Sequence, residues 1–163
     1  MKTLLIIRHA KSSWSSGSGS DYERPLNDRG RFDAPRMGEF LLERGPFPDG
    51  ILSSPAKRAI TTALLIARGL GFPETSIQTE KNLYPADADR FQSILRGMED
   101  AWSCACVVGH NPTITDYSGA LTGETITNVP TCAVCAVELP ITSWAQLRPG
   151  IGKRLYFQVP KAL

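Results

Sequence analysis

Short apolar runs recur along the chain, and each of them predicts a β-strand. The candidates are KTLLIIR (2–8), DGILSS (49–54), CACVVG (104–109), CAVCAVELP (132–140) and KRLYFQV (153–159), with SIQTE (76–80) as a shorter sixth. The runs CACVVG and CAVCAVELP lack a strict alternation of apolar and polar residues, which is typical of strands covered on both faces. The pattern therefore predicts a sheet with protein packed on both sides.

The segment SPAKRAITTALLIARGLG (54–71) has the clearest helical pattern. Its alanine, isoleucine and leucine residues recur at helical spacing and form an apolar stripe. Ser54 can cap the start of this helix, and Pro55 suits its first helical position. Gly69 or Gly71 can end it.

Three further helices are predicted. Segments 87–100 and 111–123 place apolar residues on one helical face. The segment 28–44 is also helical in pattern, but Pro35 conflicts with a mid-helix position because proline has no backbone N–H. We expect this helix to begin near Asp33, with Pro35 in its first turn, or to kink at Pro35.

Strands that alternate with helices are typical of α/β proteins. The sequence thus predicts a three-layer α/β/α sandwich with a mostly parallel central sheet. Residues 1–163 match the usual size of one domain. The Ser/Gly-rich stretch 12–20 is predicted to be a flexible loop, because too little chain precedes it to form a separate domain.

Charge and composition argue against several classes of function. The chain has 18 basic and 16 acidic residues and a net charge of +2, which gives no reason to expect a nucleic acid or an anionic membrane as partner. No apolar run approaches the roughly 18 residues that span a bilayer. Arg8 ends the N-terminal apolar run before it reaches the length of a signal-peptide core. We therefore expect a cytoplasmic protein.

Four cysteines, Cys104, Cys106, Cys132 and Cys135, raise the alternative of a zinc site. Strand alternation, however, places Cys104 and Cys106 on one face of the sheet, and Cys132 and Cys135 on opposite faces. Four ligands would then not converge. We expect buried free thiols, and no metal or cofactor.

Charged and histidine residues follow three of the predicted strands. Arg8 and His9 end the first, Arg58 lies in the first helical turn after the second, and His110 follows the third. Functional sites of α/β sheets gather beyond the carboxyl ends of the strands, so these residues are expected to meet at one edge.

Phosphoryl transfer is the chemistry that this set suits. Arginine offers a planar fork of donors that matches phosphate oxygens, and helix N-termini add backbone donors. One histidine can act as a nucleophile and become phosphorylated, while the other donates a hydrogen bond to the phosphoryl oxygens.

Four motifs carry a resemblance to a known family. They are LLIIRHAKSSW, ERPLNDRG, ILSSPAKRAITTA and VVGHNPTI, and they span residue 4 to about residue 115. In order and spacing they resemble the histidine phosphatase superfamily, also called phosphoglycerate mutase-like, and in particular its SixA-type phosphohistidine phosphatase branch. The resemblance implies the phosphoglycerate mutase-like fold, an α/β sandwich with a mostly parallel sheet.

The same resemblance implies roles for individual residues. His9 would be the nucleophile that is phosphorylated, and Arg8, Arg58 and His110 would form the phosphate pocket. Arg24, in ERPL, would be a further phosphate or substrate contact, although it could equally pair with a neighbouring acidic residue such as Asp21.

A general acid, which most members of the superfamily supply, has no clear counterpart here. Glu80, Asp87 and Asp89 are candidates, but LYPADADRF resembles the SixA-type segment that lacks an obvious acid. An alkoxide leaving group needs a proton, whereas imidazole, whose conjugate acid titrates near about 6.5, needs less help. The pattern therefore favours a phosphohistidine substrate.

The expected activity is that of a metal-independent phosphatase, most readily one that hydrolyses phosphohistidine on a signalling or phosphotransfer protein. The chain has little spare sequence for a lid, and an open site suits a phosphorylated protein. A phosphatase of small phosphate esters is the first alternative. A non-catalytic phosphate-binding module on the same fold is the second, although binding alone needs no nucleophilic histidine.

Overall fold

A computed structural model describes residues 1–14 and 19–163. Residues 15–18 of the predicted flexible loop 12–20 lie outside the described residues. None of the helices within the described ranges combines the length and apolarity needed to cross a membrane.

Within the described residues, six strands form one sheet in the order β3-β2-β4-β1-β5-β6. They are β1 (Lys2–Arg8), β2 (Gly50–Ser53), β3 (Gln78–Thr79), β4 (Cys104–Gly109), β5 (Val134–Leu139) and β6 (Lys153–Gln158). Pairing is parallel from β3 through β2 and β4 to β1, while β5 runs antiparallel to both β1 and β6. The sheet is therefore mostly parallel, as the sequence predicts.

In the part of the chain that the structure describes, four α-helices cover the two faces of this sheet. They are α1 (Asp28–Arg44), α2 (Lys57–Leu70), α3 (Ala88–Arg96) and α4 (Thr113–Thr122). Leu5 and Ile7 of β1 pack with α1 and α2, and Leu4 and Ile6 pack with α3 and α4. Because neighbouring residues of a strand point to opposite faces, β1 joins two apolar cores. The predicted three-layer sandwich is confirmed.

Two helix boundaries differ from the expectation. Helix α2 begins at Lys57 after Ala56, so Ser54 and Pro55 precede the helix. The hydroxyl of Ser54 instead accepts a hydrogen bond from the Ala56 backbone N–H, 3.2 Å away. Ser54 therefore shapes the turn between β2 and α2 and does not cap the helix.

Helix α1 begins well before Asp33, contrary to the first of the two expectations for it. Asn27 caps its start at Asp28, where the Asn27 side chain accepts a hydrogen bond from the Gly30 N–H at 2.9 Å. Pro35 consequently lies inside the helix. The cap contributes only about 1 kcal/mol against roughly 3 kcal/mol for an internal proline, so the burial of Ala34, Met37 and Leu41 must offset the remainder.

Helices α1 and α2 meet backbone to backbone at Gly38 and Gly69. A Cβ atom on Gly38 would lie 2.3 Å from the carbonyl oxygen of Ile66, and one on Gly69 would lie 2.3 Å from that of Pro35. These distances are too short for any side chain. Two small residues thus allow the close approach of the two helices.

We expect the substitution Gly38→Ala to lower the free energy of unfolding by about 1–3 kcal/mol, because the helices must separate to admit the methyl group. Urea unfolding measures the change. The control is Gly97→Ala, where the nearest atom to an added Cβ is the Ile94 carbonyl oxygen at an ordinary 3.5 Å. Equal stability of the two variants would contradict this account of the helix contact.

The four cysteines are free and buried. Cys104, Cys106 and Cys132 pack in the core beneath α1 and α2, whereas Cys135 packs in the opposite core. This arrangement agrees with the strand alternation. Among the described residues, no group of three or more histidine, cysteine, aspartate or glutamate side chains is placed to hold a metal ion.

Candidate active site

The carboxyl ends of β1 and β4 bring both histidines together. Arg8 pairs with Gly109 in the parallel ladder, and the His9 backbone N–H donates to the Gly109 carbonyl oxygen at 3.0 Å. The next residue on each strand is a histidine, and the two ring centroids are 5.2 Å apart. Register therefore places His9 beside His110, as expected from the strand ends.

The environment of His9 selects one tautomer. Its Nδ1 lies 2.7 Å from the carbonyl oxygen of Ala10, which can only accept a hydrogen bond, so Nδ1 carries the proton. Its Nε2 faces the Nε–H of Arg58 at 3.4 Å and acts as the acceptor. The Nε2 lone pair is thus held on the side of the ring where Arg58 lies.

Both histidines are neutral near pH 7. Burial lowers the pKa of His9 to about 4, opposed by the hydrogen bond to Ala10 and reinforced by the charge of Arg58. Burial, followed by the charges of His9 and Arg58, lowers the pKa of His110 to about 3. A neutral imidazole keeps the lone pair that a nucleophile requires.

A backbone contact supports the end of β1 from the loop before β5. The Cys132 N–H donates to the carbonyl oxygens of Arg8 and His9, at 2.9 and 3.1 Å. Cys132 adopts a left-handed φ of 61°, an uncommon conformation for a non-glycine residue. Strain of this kind concentrates at functional sites, where the surrounding structure holds the backbone in place.

A cavity of about 220 Å³ opens at this edge of the sheet. Its walls include Arg8, His9, Arg24, Arg58 and His110, all five of the site residues expected from the sequence. Three buried nitrogen atoms of these walls, Arg8 Nε, Arg24 Nε and His110 Nδ1, have no hydrogen-bond partner within the described ranges. Buried donors are nearly always paired in proteins, so this cavity is suited to an anion with several acceptor oxygens.

Ser54 orients the ring of His110. The Ser54 hydroxyl lies 2.8 Å from His110 Nε2 and already accepts the Ala56 N–H. The hydroxyl proton can be donated to Nε2, and in that tautomer the ring proton lies on Nδ1, the buried nitrogen that has no partner among the described residues. His110 is thereby prepared to donate a hydrogen bond from Nδ1.

Arg58 and Arg24 are both held by Asp21. Arg58 donates to the Asp21 carbonyl oxygen at 2.6 Å and to its carboxylate at 3.0 Å. Arg24 donates to the same carboxylate at 3.2 Å and to the Ser12 hydroxyl at 2.5 Å, and its guanidinium lies over the ring of Trp14. Arg24 thus both pairs with Asp21 and lines the cavity, so the two expectations for it are compatible.

The model of the histidine phosphatase superfamily (branch 1) matches residues 4–129. The chain belongs to the histidine phosphatase superfamily.

Several known proteins are similar to this chain over most of its length. An uncharacterised chloroplastic protein of Arabidopsis thaliana is 29% identical over 154 residues, which cover 89% of this chain and 70% of that protein. The structure of the protein histidine phosphatase SixA with tungstate superposes with a TM-score of 0.83 at 23% identity, over 98% of each chain. A mycobacterial glucosyl-3-phosphoglycerate phosphatase gives a TM-score of 0.68 at 17% identity, over 94% of this chain and 97% of that one. These likenesses establish the phosphoglycerate mutase-like fold.

A second cavity of about 290 Å³ adjoins the first. It shares Arg58, His110 and Asn111 with the first cavity, and its remaining walls include Asp21, Tyr84 and Phe91. The two cavities of this histidine phosphatase fold are therefore adjacent, and the shared residues form the wall between them.

The acid candidates from the sequence do not line either cavity. Glu80 caps a short 3₁₀ helix and accepts the Asn82 N–H, and Asp87 caps α3 by accepting the Arg90 N–H. Asp89 lies in the first turn of α3. Asp21 is instead the carboxylate among the described residues that form these walls. The hydroxyl of Tyr84, followed by Arg58, lowers the pKa of Asp21, so this carboxylate is ionised at neutral pH.

The two buried histidines should make the histidine phosphatase domain less stable in acid. Unfolding frees both imidazoles to titrate near about 6.5, well above their folded pKa values, so the unfolded state binds more protons below that pH. We expect the free energy of unfolding to fall by about 2 kcal/mol per histidine between pH 7 and pH 5. Stability is thus greatest above pH 6.5 and falls as the pH decreases towards about 4.

Urea unfolding at the two pH values measures this loss. A variant with His9→Gln and His110→Gln should lose less stability on acidification, because the carboxylates contribute equally in both proteins. The same loss in variant and wild type would show that the folded histidines are not the source.

Proposed function

We propose that this protein is a metal-independent phosphatase that acts through a phosphohistidine intermediate on His9, and that its substrate is phosphohistidine carried by a signalling or phosphotransfer protein. One observation supports the mechanism above all. The unprotonated Nε2 of His9 lies in the same cavity as three buried nitrogen atoms that have no partner within residues 1–14 and 19–163. Such a cavity binds a phosphoryl group beside a nucleophile.

The reaction proceeds in two displacements. Arg8, Arg58 and His110 donate to the phosphoryl oxygens, with Arg24 as a further contact, and hold phosphorus next to His9 Nε2. A bond forms between Nε2 and phosphorus while the bond to the leaving group breaks. Water then attacks the phosphorylated His9, which releases phosphate and returns the neutral imidazole.

The arginines supply the charge that in other phosphoryl transferases comes from a metal ion. Three guanidinium groups surround the site, and a buried cation interacts strongly with an anion because the local dielectric constant is low. In SixA the bound ligand is tungstate, a tetrahedral oxyanion, in a protein of the same fold. This supports an oxyanion as the ligand of the first cavity.

Protonation of the leaving group separates the candidate substrates. Asp21 is the carboxylate near the site, and its lowered pKa makes it a poor proton donor. An alkoxide leaving without a proton is strongly disfavoured, whereas an imidazole whose other ring nitrogen carries a proton leaves as a stable neutral ring. This supports a phosphohistidine substrate over an alkyl phosphate.

We further propose that residues 1–163 act as one histidine phosphatase domain in the cytoplasm. Strands β5 and β6 lie beyond the matched residues 4–129, but β5 pairs directly with β1, which carries the nucleophile. All four thiols are free, which is typical of a reducing compartment.

The test compares two substrates in the presence of a chelator. We expect wild-type protein to release phosphate from a phosphohistidine-bearing protein at least about 10²-fold faster than from a phosphoserine peptide. Intact mass after an acid-free quench should show one added phosphoryl group on the enzyme. Faster turnover of alkyl phosphates would favour the alternative, a phosphatase of small esters, and loss of activity with chelator would contradict metal independence.

A further inference from the structure

The second cavity contains a charged residue that the proposed two-step mechanism does not use. Asp21 and Tyr84 stand opposite the shared wall of Arg58 and His110, and the ring of Tyr84 lies edge-on to that of His110, with centroids 5.2 Å apart. The Tyr84 hydroxyl donates to the Asp21 carboxylate at 2.5 Å. This hydrogen bond also raises the pKa of Tyr84, so the hydroxyl stays protonated.

The Asp21 carboxylate has room for one more hydrogen bond. Its two oxygens offer about four acceptor sites. Three are used by Arg58, Arg24 and Tyr84. Half of its side chain is exposed, so the remaining site is open to a ligand.

The order of residues across the two cavities suits an in-line displacement, in which nucleophile and leaving group stand on opposite sides of phosphorus. His9 lines the first cavity, and Tyr84 lines the second. Arg58 and His110 form the wall between them. A phosphoryl group held by Arg58 and His110 is therefore close to His9 in the first cavity, and the second cavity is available to the group that leaves.

We propose that the second cavity binds the departing imidazole ring of phosphohistidine, and that Asp21 accepts a hydrogen bond from the ring nitrogen that does not carry phosphorus. This inference rests on the proposed function. It identifies Asp21 as the group that distinguishes an imidazole from an alcohol leaving group.

The size of the second cavity agrees with this assignment. Its volume is about 290 Å³, and a cavity of about 150 Å³ is enough to bind benzene, which is larger than imidazole. Tyr84 and Phe91 offer aromatic surface to a planar ring.

The hydrogen bond to Asp21 accounts for the proton that the leaving imidazole needs in the first step. His9 Nε2 forms a bond to phosphorus, and the electron pair of the broken N–P bond returns to the substrate's ring nitrogen. If the other ring nitrogen carries a proton, the substrate histidine leaves as neutral imidazole and no further proton is needed. Asp21 favours that protonated form because a carboxylate stabilises an imidazolium N–H. An alcohol leaving group has no ring N–H that could donate to Asp21, so Asp21 does not assist its departure.

The substitution Asp21→Asn tests the assignment, because it removes the charge and retains the shape. We expect kcat/KM for a phosphohistidine-bearing protein to fall about 10- to 100-fold, in line with the loss of a charge-assisted hydrogen bond. Turnover of an aryl phosphate, whose leaving group needs no proton, should fall by a clearly smaller factor, which reports only the weakened contacts of residue 21 with Arg58 and Arg24. The control is Glu23→Gln, the same chemical change at an exposed residue two positions away.

Each outcome of this experiment supports or contradicts a specific role for Asp21. Activity on the aryl phosphate shows that the variant is folded and that Arg58 is still in place. An equal loss on both substrates would mean that Asp21 only positions Arg58. No loss on either substrate would mean that Asp21 does not touch the leaving group. Either result would overturn this inference and leave the proposed function intact. If wild-type protein hydrolyses the aryl phosphate but not phosphohistidine, the proposed substrate fails and this inference fails with it.

Discussion

Replacing His9 with alanine is expected to lower kcat by at least about 10⁴-fold on every phosphorylated substrate, because the step that forms the phosphoenzyme has no other nucleophile. His9 Nε2 is the unprotonated ring nitrogen, and only the long 3.4 Å contact with Arg58 Nε–H engages its lone pair. The arginines cannot replace it, since their nitrogens carry no available lone pair, and Nε2 of His110 is engaged by the Ser54 hydroxyl at 2.8 Å. Phosphate release under single-turnover conditions measures the loss.

Binding of tungstate or orthophosphate provides the control for this variant. Calorimetry should show that His9→Ala still binds the oxyanion, because Arg8, Arg58 and His110 remain. Intact mass should show no added phosphoryl group on the variant, in contrast to wild type. A variant that retains more than about a tenth of wild-type turnover would rule out a covalent intermediate on His9.

Replacing Arg58 with alanine is expected to lower kcat/KM by about 10³-fold. Arg58 is a buried cation in the first turn of α2, where the helix dipole disfavours positive charge. A cation at such a place is stabilised when an anion binds beside it. Arg58 also holds the His9 ring through its Nε–H, so its loss affects both phosphate binding and the position of the nucleophile.

Two further variants test whether the effect is specific to the Arg58 side chain. Lys57→Ala removes the preceding cation, which is exposed and lines neither cavity, and should change kcat/KM by less than about 2-fold. Arg58→Lys retains the charge but loses the planar fork, and should recover only part of the activity. A similar loss in the Lys57 and Arg58 variants would indicate general electrostatic attraction in place of a specific contact.

The fold could be predicted from the sequence because each strand or helix follows from the pattern of apolar and polar residues within its own segment. The uninterrupted apolar run of β4 indicates a strand covered on both faces, and its predicted bounds, Cys104–Gly109, are those of the structure. The weakest strand signal, at 76–80, corresponds to the two-residue edge strand Gln78–Thr79. Helix boundaries were less predictable, because Pro35 and Ser54 depend on neighbouring hydrogen bonds that a periodic pattern does not contain.

Some residues of the site could also be predicted from the sequence, and others could not. Residues at strand ends, such as His9 and His110, are brought together by parallel register, and that register can be inferred once the strands are known. Asp21 meets Arg58 and Tyr84 across 37 and 63 residues of sequence, and it directly follows the Ser/Gly-rich stretch 12–20, which has no periodic signal. The excess of acidic residues around Arg24 was the one available hint, and it pointed to a local ion pair.

The position of β1 has a consequence for how activity is lost. This strand is paired on both sides, with β4 and with β5, and Leu4 through Ile7 are fully buried. Amides in such a strand exchange with solvent only when the whole domain opens. Fraying of edges or loops therefore leaves the reactive histidine in place. Thermal inactivation and global unfolding should share one midpoint, and partial proteolysis away from the loop that carries Asp21 and Arg24 should spare the chemistry.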